Sequence, residues 1–298
     1  MHQIPATTRA SHSRRTPALK RLLLAFVPVM LIAMVLAACG SSPSTGASPQ
    51  SVKLNVFAAA SLQAAFTDIG KAFSQAHSNV TVTFNFAGSD ALATQINQGA
   101  PADVFASANA TQMNNVVTPG NIAGSAVKTF AHNRLVVIYP AANPANIQTL
   151  RDLGKSGVKV VLADKTVPVG QYALQFLDLA AADPSFGASY KTNVLKNVVS
   201  YETDVKSVLA KVALGEADAG IVYTTDAATE IGKVGTITIP DALNVIAVYP
   251  IGAVKASKQA TTAQAFVDYV LSSEGQATLA TYGFIAGSEG KQYTPPAA

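Results

Sequence analysis

From Val52 onward, short runs rich in β-branched and aromatic residues alternate with segments whose apolar residues recur every three or four positions. No other feature limits the fold so strongly, because strands separated by amphipathic helices argue for parallel sheets covered by helices. The pattern predicts strands at Lys53–Phe57, Val80–Phe86, Asp103–Ser107, Arg134–Tyr139, Val158–Leu162, Gly220–Tyr223, Thr236–Ile239 and Val245–Val254. Between the first two, Leu62, Phe66, Ile69 and Phe73 fall at steps of four, three and four, which is one helix face. Further helical patterns carry Leu92 and Ile96; Tyr172, Phe176 and Leu179; and Val205, Val208, Leu209 and Val212. A last helix is predicted over Thr262–Tyr282, with Phe266, Val270 and Leu271 on one side.

The front of the chain differs in kind. Arg9, Arg14, Arg15, Lys20 and Arg21 precede the uncharged run Leu22–Ala38, which ends in Leu-Ala-Ala before Cys39. A basic segment, an apolar segment and small residues describe a secretory signal over residues 1–38. The cysteine in that position resembles a bacterial lipobox, so Cys39 is expected to carry a lipid. An uncleaved membrane anchor is the competing reading, but spanning takes about 20 apolar residues, and this run is shorter and contains Pro28. Residues 39–51, rich in Ser, Gly and Pro, read as a flexible tether.

This assignment uses the only cysteine and leaves no disulfide or thiol chemistry. It also changes the charge. Five of the 21 basic residues lie before Cys39 and none of the 17 acids do, which leaves 16 against 17. The basic balance belongs to the targeting segment, and nucleic acid is not expected as a partner.

In open sheets of this kind, ligands sit at the carboxyl ends of strands, against helix N-termini. The predicted junctions there are Ala58-Ala59-Ala60-Ser61, Ala87-Gly88-Ser89-Asp90, Val167-Pro168-Val169-Gly170, Thr203-Asp204-Val205 and Tyr223-Thr224. They offer hydroxyls and orphan N–H groups, which suit an anion. Each also has an ordinary reading: Ser61 and Ser89 as N-caps, Val169 and Val205 as simple helix starts, Tyr223 as a core tyrosine.

Catalytic equipment is sparse. Beyond Cys39 the histidines are His77 and His132, both expected at the surface or a strand edge. Neither has metal-ligand spacing. Nucleophile-elbow, phosphate-loop and dinucleotide motifs are missing from the sequence. A secreted enzyme using Ser61 or Ser89 would need a base within reach. The chain reads as a binder rather than an enzyme, with no cofactor.

The segments VFAAASLQAAFTDIGKAF, FAGSDALATQINQGAPADVFASAN and GIVYTTDA resemble the molybdate-binding (ModA-type) proteins of bacterial ABC importers. The resemblance runs from about residue 53 to 288. It implies an α/β type II periplasmic binding protein fold, two lobes with a ligand cleft between them. Lobe one would hold residues 52–132 and 243–298, and lobe two residues 133–242, with crossings near His132–Arg134 and Ile239–Val245. It further implies a tetrahedral oxyanion held by neutral donors alone: the hydroxyls of Ser61, Ser89 and Tyr223 and the N–H groups of Val169 and Val205.

The ligand implied is molybdate, with tungstate beside it, and the partners are an ABC permease and its ATPase. A monomeric lipoprotein outside the cytoplasm is expected, held to the membrane by its lipid. A binder of sulfate or another tetrahedral oxyanion is the nearest alternative. A ferric-iron site would want adjacent tyrosines, whereas Tyr223 is followed by Thr224. A sensor or adhesion lipoprotein on the same fold is a third possibility. Three departures from the family pattern stand out. Gly88 and Asp90 flank Ser89 in place of further serines, Val169 replaces a smaller residue, and Ala180–Asn197 is long. Asp90 would repel an anion and is expected to point away, into the first helical turn.

Overall fold

The computed structural model describes residues 51–296. The expected signal segment, Cys39 and all of the tether except Ser51 lie outside the described residues.

Two sheets organise the chain. The first contains β1 (Val52–Ala59), β2 (Val80–Ala87), β3 (Val104–Ala106), β4 (Lys128–Asn133), β10 (Ala247–Ala253) and β11 (Ile285–Ala286), in the order β11-β4-β10-β3-β1-β2. The second contains β5 (Leu135–Pro140), β6 (Val160–Ala163), β7 (Val198–Glu202), β8 (Ala219–Tyr223) and β9 (Val234–Thr238), in the order β7-β6-β8-β5-β9. Helices α1 (Gln63–Ala76), α2 (Ser89–Asn97), α3 (Ala110–Val117), α8 (Ala260–Leu271) and α9 (Ser273–Thr281) occur in the chain segments of the first sheet. Those of the second contain α4 (Pro168–Ala182), α5 (Tyr190–Lys196), α6 (Val205–Ala213) and α7 (Thr224–Ala227).

The sheets are mixed, not parallel as the alternation predicts. β1 runs parallel to β2 and β3, but β10 lies antiparallel between β3 and β4. In the second sheet β5 is antiparallel to both its neighbours, β8 and β9. In each sheet the antiparallel strands follow a passage of the chain from one sheet to the other. The chain passes from β4 to β5 through Arg134 and returns between β9 and β10. The two passages are tied together. Asn244 accepts from the Leu135 N–H at 3.0 Å and donates to its carbonyl at 2.9 Å, and Arg134 pairs with Asp241.

The predicted face of the first helix is the inner face of α1 and the turn before it: Leu62, Phe66, Ile69 and Phe73 are buried. Phe66 packs against Phe84, Phe130 and Phe266, which locks α1 onto the first sheet. Three expectations need correction. The long C-terminal helix is two helices, broken at Ser272, whose backbone is extended and whose hydroxyl caps α9 by accepting from Gly275 N–H. Leu179 is largely exposed. His132 is fully buried between β10 and β11, with its ring nitrogens 3.2 Å and 2.8 Å from the carbonyls of Ala286 and Lys291. His77 stacks on Phe73 at the end of α1.

Candidate functional site

The strand ends of both sheets face one small cavity. Its lining is Ala59, Ala60, Ser61, Ala87, Gly88, Ser89 and Ala108 from the first-sheet segments, with Val167, Pro168, Val169, Asp204, Val205 and Tyr223 from the second. All five residues singled out in the sequence therefore meet there. No lysine, arginine or histidine lines it.

None of these donors is used by its own helix. Ser61 sits in the 3₁₀ turn Ala60–Leu62, and its side chain caps nothing. Its Oγ lies 3.0 Å from the hydroxyl of Tyr249. Ser89 opens α2 behind Gly88, the N-cap. Its Oγ accepts from Ala108 N–H at 3.1 Å, so its own hydrogen remains available. The ordinary N-cap reading thus holds for neither serine.

Val169 and Val205 are in the first turns of α4 and α6, where helical geometry leaves N–H groups without an intrahelical acceptor. Pro168 begins α4 with no N–H to satisfy and a backbone angle already suited to a helix. Gly170 lets α4 start so close to the end of β6, since a Cβ there would fall 2.1 Å from the Asp164 carbonyl. Asp204 caps α6. Its Oδ1 accepts from the N–H groups of Lys206 and Ser207, and its Oδ2 from the Ser207 hydroxyl. The N–H it leaves unused is that of Val205.

Tyr223 ends β8 and is fully buried, and its hydroxyl has no hydrogen-bond partner among the described residues. Burial, then the neighbouring Tyr249, Tyr172 and Asp226, push its pKa well above the usual tyrosine range. It therefore stays protonated, an O–H donor at the cavity wall. An unsatisfied buried hydroxyl costs roughly 1–3 kcal/mol, which a bound acceptor would recover.

Hydrogen bonds cross between the two parts beside the cavity. Asn109 donates to Gln171 at 2.9 Å, Gln112 to the Thr166 carbonyl at 2.7 Å, and Thr166 Oγ1 to Asp90 Oδ2 at 3.0 Å. Asp90 thus does not line the cavity, but neither does it fold back into its own helical turn. It reaches across to Thr166. The sequence reading missed Tyr249, Asn109, Gln112 and Thr166, whose partners are distant in the chain and whose residue types carry no local signal. Among the described residues there is no cluster of His, Cys, Asp and Glu able to hold a metal ion, and no helix long and apolar enough to cross a membrane.

Residues 54–285 match the bacterial extracellular solute-binding protein family. The molybdate-binding protein ModA of Mycobacterium tuberculosis is 40% identical over 87% of this chain and 95% of its own. YvgL of Bacillus subtilis, a candidate ABC transporter substrate-binding lipoprotein, is 31% identical over 88% of this chain and 97% of its own. Among solved structures, the substrate-binding domain of a candidate molybdenum ABC transporter from Clostridium difficile superposes with a TM-score of 0.58 at 32% identity, covering 79% of this chain and 99% of that one. With two mixed sheets meeting at a cavity of helix N-termini, the chain has the type II periplasmic binding protein fold and belongs to the bacterial extracellular solute-binding proteins, a family of binders and not of enzymes.

Proposed function

We propose that this protein captures molybdate, and tungstate with it, and delivers the anion to an ABC permease driven by its ATPase. One observation carries the reading: five donors, the hydroxyls of Ser61, Ser89 and Tyr223 and the N–H groups of Val169 and Val205, converge on a cavity lined by no cation. A dianion is costly to bury unpaired. Donors aligned with helix N-termini replace its water shell, and each hydrogen bond to the charged partner contributes about 1.5–3 kcal/mol. The segments 52–132 plus 243–298 and 133–242 are the two lobes in this reading. They open and close about the passages at Arg134 and 239–246. The protein works as a monomer outside the cytoplasm, tethered through a lipid on Cys39, in keeping with the name of its Bacillus subtilis relative.

Donor-only chemistry also bears on selectivity. Hydrogen phosphate carries a proton that needs an acceptor. The one carboxylate in the lining, Asp204, already accepts three hydrogen bonds from its own helix. Sulfate and molybdate present no such proton, and pocket size must separate them.

Melting curves of the chain truncated before Cys39, recorded with molybdate, tungstate, sulfate and phosphate, test the assignment. Molybdate at 1,000 times its dissociation constant should stabilise the fold by about 4.1 kcal/mol. A shift with sulfate or phosphate and none with molybdate would overturn the substrate. A second prediction concerns the donors themselves. Ser61→Ala and Tyr223→Phe should each weaken molybdate by about 1.5–3 kcal/mol in calorimetric titration. The unliganded melting temperature should not fall in Tyr223→Phe, whereas Ser61→Ala should lower it by leaving the buried Tyr249 hydroxyl without its partner. Unchanged affinity in both variants would remove these residues from the site.

A further inference from the structure

Ser61 has one hydrogen, and two oxygens compete for it: that of a bound anion and that of Tyr249, 3.0 Å away. If Ser61 donates to Tyr249, it turns lone pairs toward the anion and repels it. If Tyr249 donates to Ser61, the serine hydrogen is free to point into the cavity. Tyr249 is not itself part of the lining. It lies on β10, fully buried, behind Ser61. Its ring is wedged among Phe130, Tyr223 and Phe284, with centroids 6.1, 5.8 and 5.6 Å away, which holds its oxygen beside Ser61. Burial and the nearby Asp226 keep that hydroxyl protonated, against the opposing pull of Ser61 and Asn133.

We propose that Tyr249 is a positioning and specificity-determining residue: it donates its hydroxyl hydrogen to Ser61 Oγ, occupies one of that oxygen's two lone pairs, and frees the serine hydrogen for the bound oxyanion. Ala108 N–H does the same for Ser89 from the backbone. The serines, which are donors and acceptors by nature, are thereby biased toward donation. An anion that carries a proton, such as hydrogen phosphate, finds one lone pair fewer at each. The inference rests on the oxyanion-binding reading and adds a group behind the cavity that sets its polarity.

Tyr249→Phe keeps the ring and removes the donor. Calorimetric titration with molybdate and with inorganic phosphate, on wild type, Tyr249→Phe, Ser61→Ala and the double variant, decides the matter. Tyr249→Phe should weaken molybdate about 3- to 10-fold and narrow the ratio of phosphate to molybdate dissociation constants. In the Ser61→Ala background it should change neither. An equal loss of molybdate affinity in both backgrounds, or no loss in either, overturns the inference. A wild-type protein that binds a different oxyanion overturns the substrate reading alone, and the same cycle run with that anion still decides Tyr249. If Tyr249→Phe does not fold, proton NMR of the molybdate-loaded wild type replaces it. The Tyr249 hydroxyl proton should show contact with the Ser61 β hydrogens, and a hydroxyl proton without that contact overturns the assignment.

Discussion

Gly88→Ala is expected to weaken oxyanion binding at least about 100-fold while leaving the unliganded fold intact. The backbone of Gly88, at φ −56° and ψ 136°, suits any residue, so conformation is not the obstacle. Space is. A Cβ at this position would lie 2.5 Å from the Thr203 carbonyl oxygen and 2.6 Å from Asp90 Oδ1. The Asp90 carboxylate can rotate. Thr203 cannot yield so easily, because it joins β7 to Asp204, the cap of α6. Relief requires the two parts to separate by nearly 1 Å. Donor–acceptor distances near 2.9 Å would then exceed the reach of a hydrogen bond. Losing two bonds to a charged ligand, at about 1.5–3 kcal/mol each, amounts to at least two factors of ten. In the open form that the proposed function calls for, the methyl would face solvent, where substitutions shift stability by about 0.5 kcal/mol or less. Titration calorimetry with molybdate and melting of the unliganded variant check both halves. An affinity within threefold of wild type would show that Gly88 and Thr203 do not limit closure.

This pair illustrates which parts of the site were legible in the sequence. Helix periodicity is local, so the face Leu62–Phe73 and its junction at Ser61 could be read directly, and the residues that meet at the cavity all stand at strand-to-helix junctions. Pairing across the chain leaves no local mark. β10 lies antiparallel between β3 and β4, which is a matter of long-range register, and β4, β7 and β11 went unrecognised. The break at Ser272 was legible but passed over: Ser-Ser-Glu-Gly-Gln at 272–276 interrupts the apolar pattern, which resumes only at Ala277 and Leu279. Tyr249 is 188 residues from Ser61, and nothing in the sequence around it distinguishes it from any other tyrosine in a strand. His132 was misplaced for the same reason: its burial comes from a C-terminal segment more than 150 residues away.

Lys206→Met should destabilise the protein by about 3–4 kcal/mol at pH 7, and by much less at pH 5. Asp226 in α7 is fully buried, and neither of its oxygens has a well-aligned hydrogen bond. The Lys206 ammonium stands 2.8 Å from Oδ1 and supplies the neutralising charge. Methionine preserves much of the apolar stem and removes that charge. Breaking a buried pair from one side costs about 3–5 kcal/mol, but Asp226 has an escape, since it can take up a proton. From an unfolded pKa near 3.9, doing so at pH 7 costs about 4 kcal/mol, which caps the loss, and at pH 5 the cap falls to about 1.5 kcal/mol. Burial already raises the pKa of Asp226, against the pull of Lys206, and losing the lysine raises it further. A folded state that holds a proton the unfolded chain has released loses stability as pH rises. The penalty of Lys206→Met must therefore grow between pH 4 and pH 7. Denaturant unfolding across that range measures it. Lys206→Met/Asp226→Asn should recover most of the loss at pH 7. Molybdate affinity should change little in Lys206→Met at pH 7, because a neutral ion pair is replaced by a neutral acid. A penalty independent of pH would mean that Lys206 acts through packing alone.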